Sequence, residues 1–291
     1  MTAGAPTDAP RGVAVHCDAV VHLYPSPGGD VVALRGVDLD VEAGGAIALL
    51  GPSGAGKSTL LALLAGLLRP SSGHVWVGVQ DLGRATDRRL LELRATDISL
   101  MLQDPMRNLL GFGTAEQNIS FAQWGARRRR RDPLPWGPAE LLGLLGLESI
   151  TRQTVAGLSG GEQQQVAIAV AAATAPTLLL VDEPTSQLDR ASRDLVVALL
   201  LKVHRELGTT LIAVTHDPAV AAAMPRTVTI RDGRIGAEGR RGEEYAVVGR
   251  DGSVQLPPEV LEWIPAGTLL RVRRHSTGVD LSNTELDSDG P

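Results

Sequence analysis

Gly51-Pro52-Ser53-Gly54-Ala55-Gly56-Lys57-Ser58-Thr59 decides the reading of this chain. Gly51 and Gly56 enclose a short loop, and a lysine and a hydroxyl residue follow at once. An apolar run from Ala46 to Leu50 precedes the loop and predicts a strand; a second, Leu60 to Leu68, predicts a helix after it. In that setting the loop reads as a phosphate cradle. Glycines let the backbone wrap so that its N–H groups point inward at anionic oxygens, and the following helix adds its positive N-terminus. Lys57 is placed to reach the β- and γ-phosphates and the Ser58 hydroxyl to ligate Mg²⁺. Lys57 and Lys202 are the only lysines in a chain that otherwise carries its positive charge on arginine. A compact ammonium fits such a loop where a planar guanidinium does not.

Further along, Thr177 to Pro184 reads Thr-Leu-Leu-Leu-Val-Asp-Glu-Pro. This apolar run predicts a buried parallel strand, and ligands of α/β sheets bind at the carboxyl ends of such strands. Asp182 is then placed for the Mg²⁺ shell and Glu183 for polarising an attacking water. Taken alone, the two acids also read as a helix N-cap. Leu158-Ser159-Gly160-Gly161-Glu162-Gln163 opens an alanine-rich helix; alone it is an N-cap and a second anion site. Asp189 ends Ser186-Gln-Leu-Asp189, and His216 follows a run from Thr210 to Thr215.

Taken in this order, the set resembles the nucleotide-binding subunit of ATP-binding cassette (ABC) transporters over about residues 13 to 238. The resemblance implies an α/β P-loop ATPase core with a mostly parallel sheet, an antiparallel β subdomain and an α-helical subdomain. It implies ATP and Mg²⁺ as ligands, with Gly51 to Thr59 (Pro52, Ser53, Gly54 and Ala55 included) around the phosphates and Ser58, Gln103 and Asp182 near the metal. Tyr24, in His22-Leu-Tyr-Pro25, is similar to the aromatic that stacks on adenine, although a lone tyrosine also reads as packing. Gln103 resembles the glutamine that senses Mg²⁺ and γ-phosphate, and His216 the histidine that bonds the γ-phosphate. Ser159, Gly160, Gly161 and Glu162 resemble the signature that meets ATP held by the opposite copy, and Asp189 the residue linking the two sites. Glu183, His216, Lys57 and Gln103 form the implied catalytic set. The implied partners are a second copy and transmembrane permease subunits. Three positions depart from the pattern. Gln165 and Val170 stand where arginines are common on the signature helix, which bears on packing and not on phosphate contact. Gly45 replaces a frequent glutamate and reads as neutral.

Composition agrees. At 291 residues with 43% hydrophobic content, the chain can bury a substantial core. A net charge of −5 gives no sign of a nucleic-acid-binding surface. One cysteine, Cys17, leaves no internal disulfide and suits a reducing compartment; lying in an apolar run, it reads as core. No signal peptide is visible, and the most apolar stretch, Val166 to Val181, is broken by Pro176. Any membrane span must then come from a partner, which implies peripheral attachment at the cytoplasmic face of the inner membrane.

Spacing of the motifs sets the organisation. Residues 1–12 read as disordered and 13–238 as the ATPase domain, with a helical subdomain at about 104–157 broken at Pro133, Pro135 and Pro138. Strands alternating with helices predict a sheet covered on both faces. Residues 243–282 read as a small β-rich module with a helix at Glu259 to Ile264, and 283–291 as a disordered acidic tail. Gly252-Ser-Val-Gln-Leu-Pro257 with Pro265-Ala-Gly-Thr268 is similar to the intertwined β module of AbrB-like regulators; the segment also reads as an idiosyncratic β extension packing on its own core. Arg127 to Arg131, five arginines in a row, read either as a solvated face or as attraction to anionic lipid headgroups.

Chromosome-organising cassettes insert long coiled coils after the glutamine, and translation-associated ones carry two phosphate loops; this chain has neither feature. Val32 to Leu39, Arg107 to Leu110 and Thr114 to Asn118 look like the macrolide-export and lipoprotein-release group, which favours export or extraction from a membrane. An importer, or a cassette that signals through its membrane partner, remains an alternative.

Overall fold

The computed structural model describes residues 11–129, 132–240, 243–250, 252–256, 258–264, 268–276 and 278–283. In chain order the elements are β1 (Val15–Tyr24), β2 (Val31–Val41), β3 (Ala46–Leu50), α1 (Lys57–Leu64), β4 (Ser72–Val77), β5 (Gln80–Asp81), α2 (Asp87–Thr96) and β6 (Ile98–Met101). The helical portion holds α3 (Ala115–Arg127) and α4 (Pro138–Leu145), joined to α5 (Gly160–Ala172) through short 3₁₀ turns. Then come β7 (Leu178–Asp182), α6 (Arg190–Leu207), β8 (Thr210–Val214), α7 (Pro218–Ala223), β9 (Arg226–Arg231), β10 (Arg234–Arg240), β11 (Glu243–Ala246), α8 (Pro258–Trp263), β12 (Leu270–His275) and β13 (Gly278–Asn283).

The central sheet runs β11-β10-β9-β3-β8-β7-β6. Its β9-β3-β8-β7-β6 portion is parallel, and β10 and β11 are added antiparallel at one edge. A second, antiparallel sheet runs β2-β1-β4-β5. Side chains alternate between the two faces of a strand, and the inner strands β3, β7 and β8 are almost wholly apolar because both of their faces are covered. Ala46, Ala48, Leu179, Val181, Leu211 and Ala213 face one core, shared with α3 to α6. Their neighbours Ile47, Leu49, Leu178, Leu180, Ile212 and Val214 face the other, shared with α1, α2 and the antiparallel sheet. Both faces are buried, as the strand–helix alternation predicts.

The helix after the phosphate loop starts and stops earlier than its apolar run suggests. Gly56 at φ 99° turns the chain into the helix at Lys57, and Gly66 at φ 62° sits just beyond its end at Leu64. Leu67 is consequently exposed. Pro138 does not break a helix but begins α4, where its missing N–H costs nothing. Of the segment after Glu243, β11 joins the central sheet while β12 and β13 form their own hairpin. Pro257 and residues 265–267, part of the AbrB-like match, lie outside the described residues, as do Arg130 and Arg131.

Candidate active site

The parallel order β3-β8-β7-β6 brings the C-terminal ends of four strands to one edge of the sheet. Gly51 follows β3, His216 lies just beyond β8, Asp182 and Glu183 stand at the end of β7, and Gln103 lies just beyond β6. Residues from four separated stretches of sequence thus meet along one line, the crevice where open α/β sheets bind ligands.

The loop wraps because its glycines adopt backbone angles that other residues avoid. Gly51 has φ 143°, and a Cβ there would collide with the Ile230 carbonyl oxygen. At Gly56 a Cβ would lie 2.6 Å from the Ala33 carbonyl oxygen. Lys57 is buried beneath the loop and its ammonium donates to the carbonyls of Gly51 (2.7 Å) and Pro52 (2.9 Å). Ser53 and Gly54 are exposed at the loop tip and Ala55 is packed into the core. Thr59 Oγ1 lies 3.2 Å from the Tyr24 hydroxyl, and the His22 ring meets Tyr24 edge-on at 4.8 Å. Tyr24 therefore borders the loop and is itself 40% exposed.

Ser58 Oγ donates to Asp182 Oδ2 at 3.3 Å across 124 residues of sequence. Burial pushes the Asp182 carboxyl above its ordinary range, and the neighbouring Glu183 charge adds to this. Hydroxyl and carboxylate oxygens side by side, one of them short of solvation, suit a hard divalent cation such as Mg²⁺.

Glu183 sits at φ 46°, an uncommon angle for a residue with a side chain. Its N–H donates to the Val214 carbonyl (2.9 Å), tying the bend to β8. Its Oε2 lies 2.8 Å from His216 Nδ1 and accepts from the His216 backbone N–H at 3.3 Å. The glutamate side chain is 13% exposed and the histidine 71%, so a sheltered carboxylate carries an outward-facing imidazole.

The signature turn is built from α5. Ser159 and Glu162 form a reciprocal capping box, with Ser159 N–H and Oγ both donating to Glu162 Oε2 at 2.9 and 2.7 Å. Gly160 is exposed, and Gly161 has no room for a side chain because a Cβ would come 2.8 Å from Ser192 Oγ. Ser192 in turn bonds Asp189, which caps α6. The signature turn and Asp189 therefore share one contact. Gln103 is exposed. Gln165 and Val170 lie on α5, and Val170 packs against the core.

One brace has no sequence signal. The buried Thr185 hydroxyl donates to Asp217 Oδ2 at 2.9 Å, and Asp217 caps α7 through the Ala219 N–H. This steadies the loop carrying His216. Its partners are 32 residues apart, and nothing in either local pattern relates them. Cys17 is buried in β1 and its thiol is pushed up to about 12 by burial and the nearby Asp40 and Asp38 charges, so it stays protonated and is no nucleophile.

Fold and site together define a P-loop nucleoside triphosphatase with a signature helix. The ABC transporter family model matches residues 34–186, and the chain belongs to that family of ATP-hydrolysing subunits. It is 43% identical over 206 residues to the lipoprotein-releasing system ATP-binding protein LolD of Anaeromyxobacter dehalogenans, covering 71% of this chain and 85% of that protein. It is 44% identical over 219 residues to the Fe(3+) ions import ATP-binding protein FbpC of Streptomyces avermitilis, covering 72% of this chain and 59% of the other. A dimeric post-hydrolysis structure of the cassette MJ0796, bound to ADP and Pi, superposes with a TM-score of 0.68 at 31% identity, over 78% of this chain and 98% of that one. Among the described residues, no helix is long and apolar enough to cross a membrane.

Proposed function

We propose that this ATPase works as a pair of copies on the cytoplasmic face of a membrane, driving a transmembrane permease that releases or extracts a lipid-anchored cargo. The observation that carries this reading is the likeness to LolD, a lipoprotein-releasing ATPase, over most of that protein's length. In the pair, each ATP lies between one copy's phosphate loop and the other copy's Ser159–Gly161 turn, with Asp189 alongside. Contacts to the γ-phosphate exist with ATP and not with ADP, and that difference in binding free energy is what closes the pair. Tyr24 stacks on the adenine. Lys57 and His216 meet the developing charge on the transferred phosphoryl group. Ser58, Asp182 and Gln103 would hold Mg²⁺, which when bound neutralises phosphate oxygens. Glu183, held by Val214 and His216, takes the proton of the attacking water.

The Glu183→Gln variant should keep ATP binding, hydrolyse about a hundredfold more slowly and accumulate as an ATP-held dimer, a typical loss for a general base. Lys57→Ala should fail earlier, at ATP binding. Near-normal turnover of the glutamine variant would remove Glu183 from the role. The FbpC likeness supports a second reading, an import ATPase. Identifying the permease that purifies with the chain separates the two.

A further inference from the structure

Helix α3 carries none of the residues proposed above for the nucleotide site. Phe121 and Trp124 are 60% and 59% exposed, and with Arg128 they follow helical spacing onto one face. The Arg128 guanidinium lies over the Trp124 ring, 4.8 Å from its centroid. Arg127 bends inward to the buried Gln123 Oε1 (3.3 Å), and Arg129 reaches the Gly125 carbonyl (3.4 Å). Among the described residues, Arg127, Arg128 and Arg129 have no carboxylate partner. Beside them a groove of about 450 Å³ is lined by Arg128, Arg129, Arg88, Leu91 and Glu92, and the one acid there is already shared by Arg88 (3.1 Å) and Arg89 (3.6 Å). Leu91 is 55% exposed at the groove wall.

From this geometry we infer that the end of α3 contacts anionic lipid headgroups directly, alongside whatever the permease contributes. Exposed tryptophan and phenylalanine suit the interfacial layer of a bilayer, where an apolar ring meets a wet headgroup. Arg128 and Arg129, without a carboxylate partner among the described residues, supply phosphate recognition by planar, bidentate donors. In a chain of net charge −5, attraction to an anionic surface must be local, and these arginines concentrate it at one point. The Trp124–Arg128 stack holds the guanidinium beside the ring, so charge and apolar surface are presented together. The inference goes beyond the transport reading but rests on its placement of the chain at a membrane.

Co-sedimentation of the full chain with permease-free vesicles tests it. Vesicles of phosphatidylcholine mixed equally with phosphatidylglycerol should bind the protein, and phosphatidylcholine alone should not. Raising salt should release it, as surface charges are screened beyond a Debye length. The double variant Arg128→Gln/Arg129→Gln should bind about 25-fold more weakly, roughly fivefold for each arginine near the surface, with ATP hydrolysis unchanged. A blue shift of tryptophan emission on binding should vanish in Trp124→Phe while sedimentation persists. Equal binding to both vesicles, binding to neither, or an unaltered double variant would overturn the inference. Binding to neither, with loss of permease association in the double variant, would assign the surface to a protein contact instead. Permease co-purification by the wild-type chain reports on the transport reading separately.

Discussion

The cassette core and the segment after it are built from similar residues and end in opposite states. In the parallel strands, Leu178, Leu179, Leu180 and Val181 are all fully buried because helices cover both faces of the sheet. In the β12–β13 hairpin, Val272, Val279 and Leu281 share one face and remain 63%, 56% and 44% exposed. Trp263 on α8 is 83% exposed. Hydrophobic content does not make a core; a second layer does. A two-stranded hairpin is marginal by itself, so the extension depends on what ties it down. Several ties hold it: the Gln255 amide donates to the Arg231 carbonyl (3.5 Å), the Arg234 guanidinium to Ser253 Oγ (3.5 Å) and the Val247 N–H to the Gly236 carbonyl (3.0 Å). Strand β11 pairs with β10, and Arg250 bridges Asp38 (2.7 Å) and Asp18, reaching back to β2 and β1.

Paired truncations test this contrast most strongly. Leu180→Ala should cost about 2–5 kcal/mol, transfer and cavity terms together, in urea unfolding. Leu281→Ala should stay within about 0.5 kcal/mol. Similar losses at the two sites would mean that the hairpin is packed and the contrast fails.

A pH series on the edge of the central sheet probes an intermediate effect. Burial alone would raise the Glu238 carboxyl, but hydrogen bonds from Arg226 (Nε and Nη2, both 2.8 Å) and from Arg240 overcome it and hold it below its ordinary value of 4.5. A carboxyl depressed in the folded state stabilises at pH above 4.5, and that contribution is lost as pH falls through its lower folded value. Glu238→Gln should therefore be less stable than the wild type at neutral pH, on the order of 1 kcal/mol for a partly exposed pair. The gap should close in acid. A gap independent of pH would point to packing alone.

Arg250→Ala should leave the melting temperature nearly unchanged, since an exposed ion pair is screened by solvent and gains little net. Limited proteolysis after Ala246 should nevertheless speed up, because local opening and global unfolding are separate events. Unchanged cleavage would show that β11 and the Gln255, Ser253 and Val247 hydrogen bonds secure the extension without Arg250. The smallest perturbation is chemical. Cys17 should react with a thiol reagent only as fast as the chain unfolds, whereas a Val272→Cys change in a Cys17→Ser background should react at once. Prompt labelling of Cys17 would contradict its burial and raised thiol.

The site was largely legible from the sequence because its residues are local punctuation: glycines where φ is positive, a serine and glutamate three apart, an acid pair after an apolar run. What joins them was not. Ser58 with Asp182, Thr185 with Asp217 and Gly161 with Ser192 pair residues from separate elements, and no local spacing encodes which strand ends become neighbours. The end of α1 departs from its apolar run for a related reason. An apolar run continued to Leu68, yet Gly66 in a left-handed angle sits just past a helix that closes at Leu64.

By itself the sequence determined the glycine loop at 51–56, the Ser159–Glu162 capping box, the acid pair and the two-faced apolar strands, since each follows from backbone permissiveness, capping or period-2 burial within a few residues. Only the tertiary structure decided that four strand ends converge, that Glu183 is bent to φ 46° against His216, and that β11 joins the central sheet while β12 and β13 stand apart. Those outcomes depend on strand order and on which surfaces find a covering layer. They are properties of the whole chain's packing, because a strand's own residues specify which of its faces is apolar but not the neighbour that will cover it.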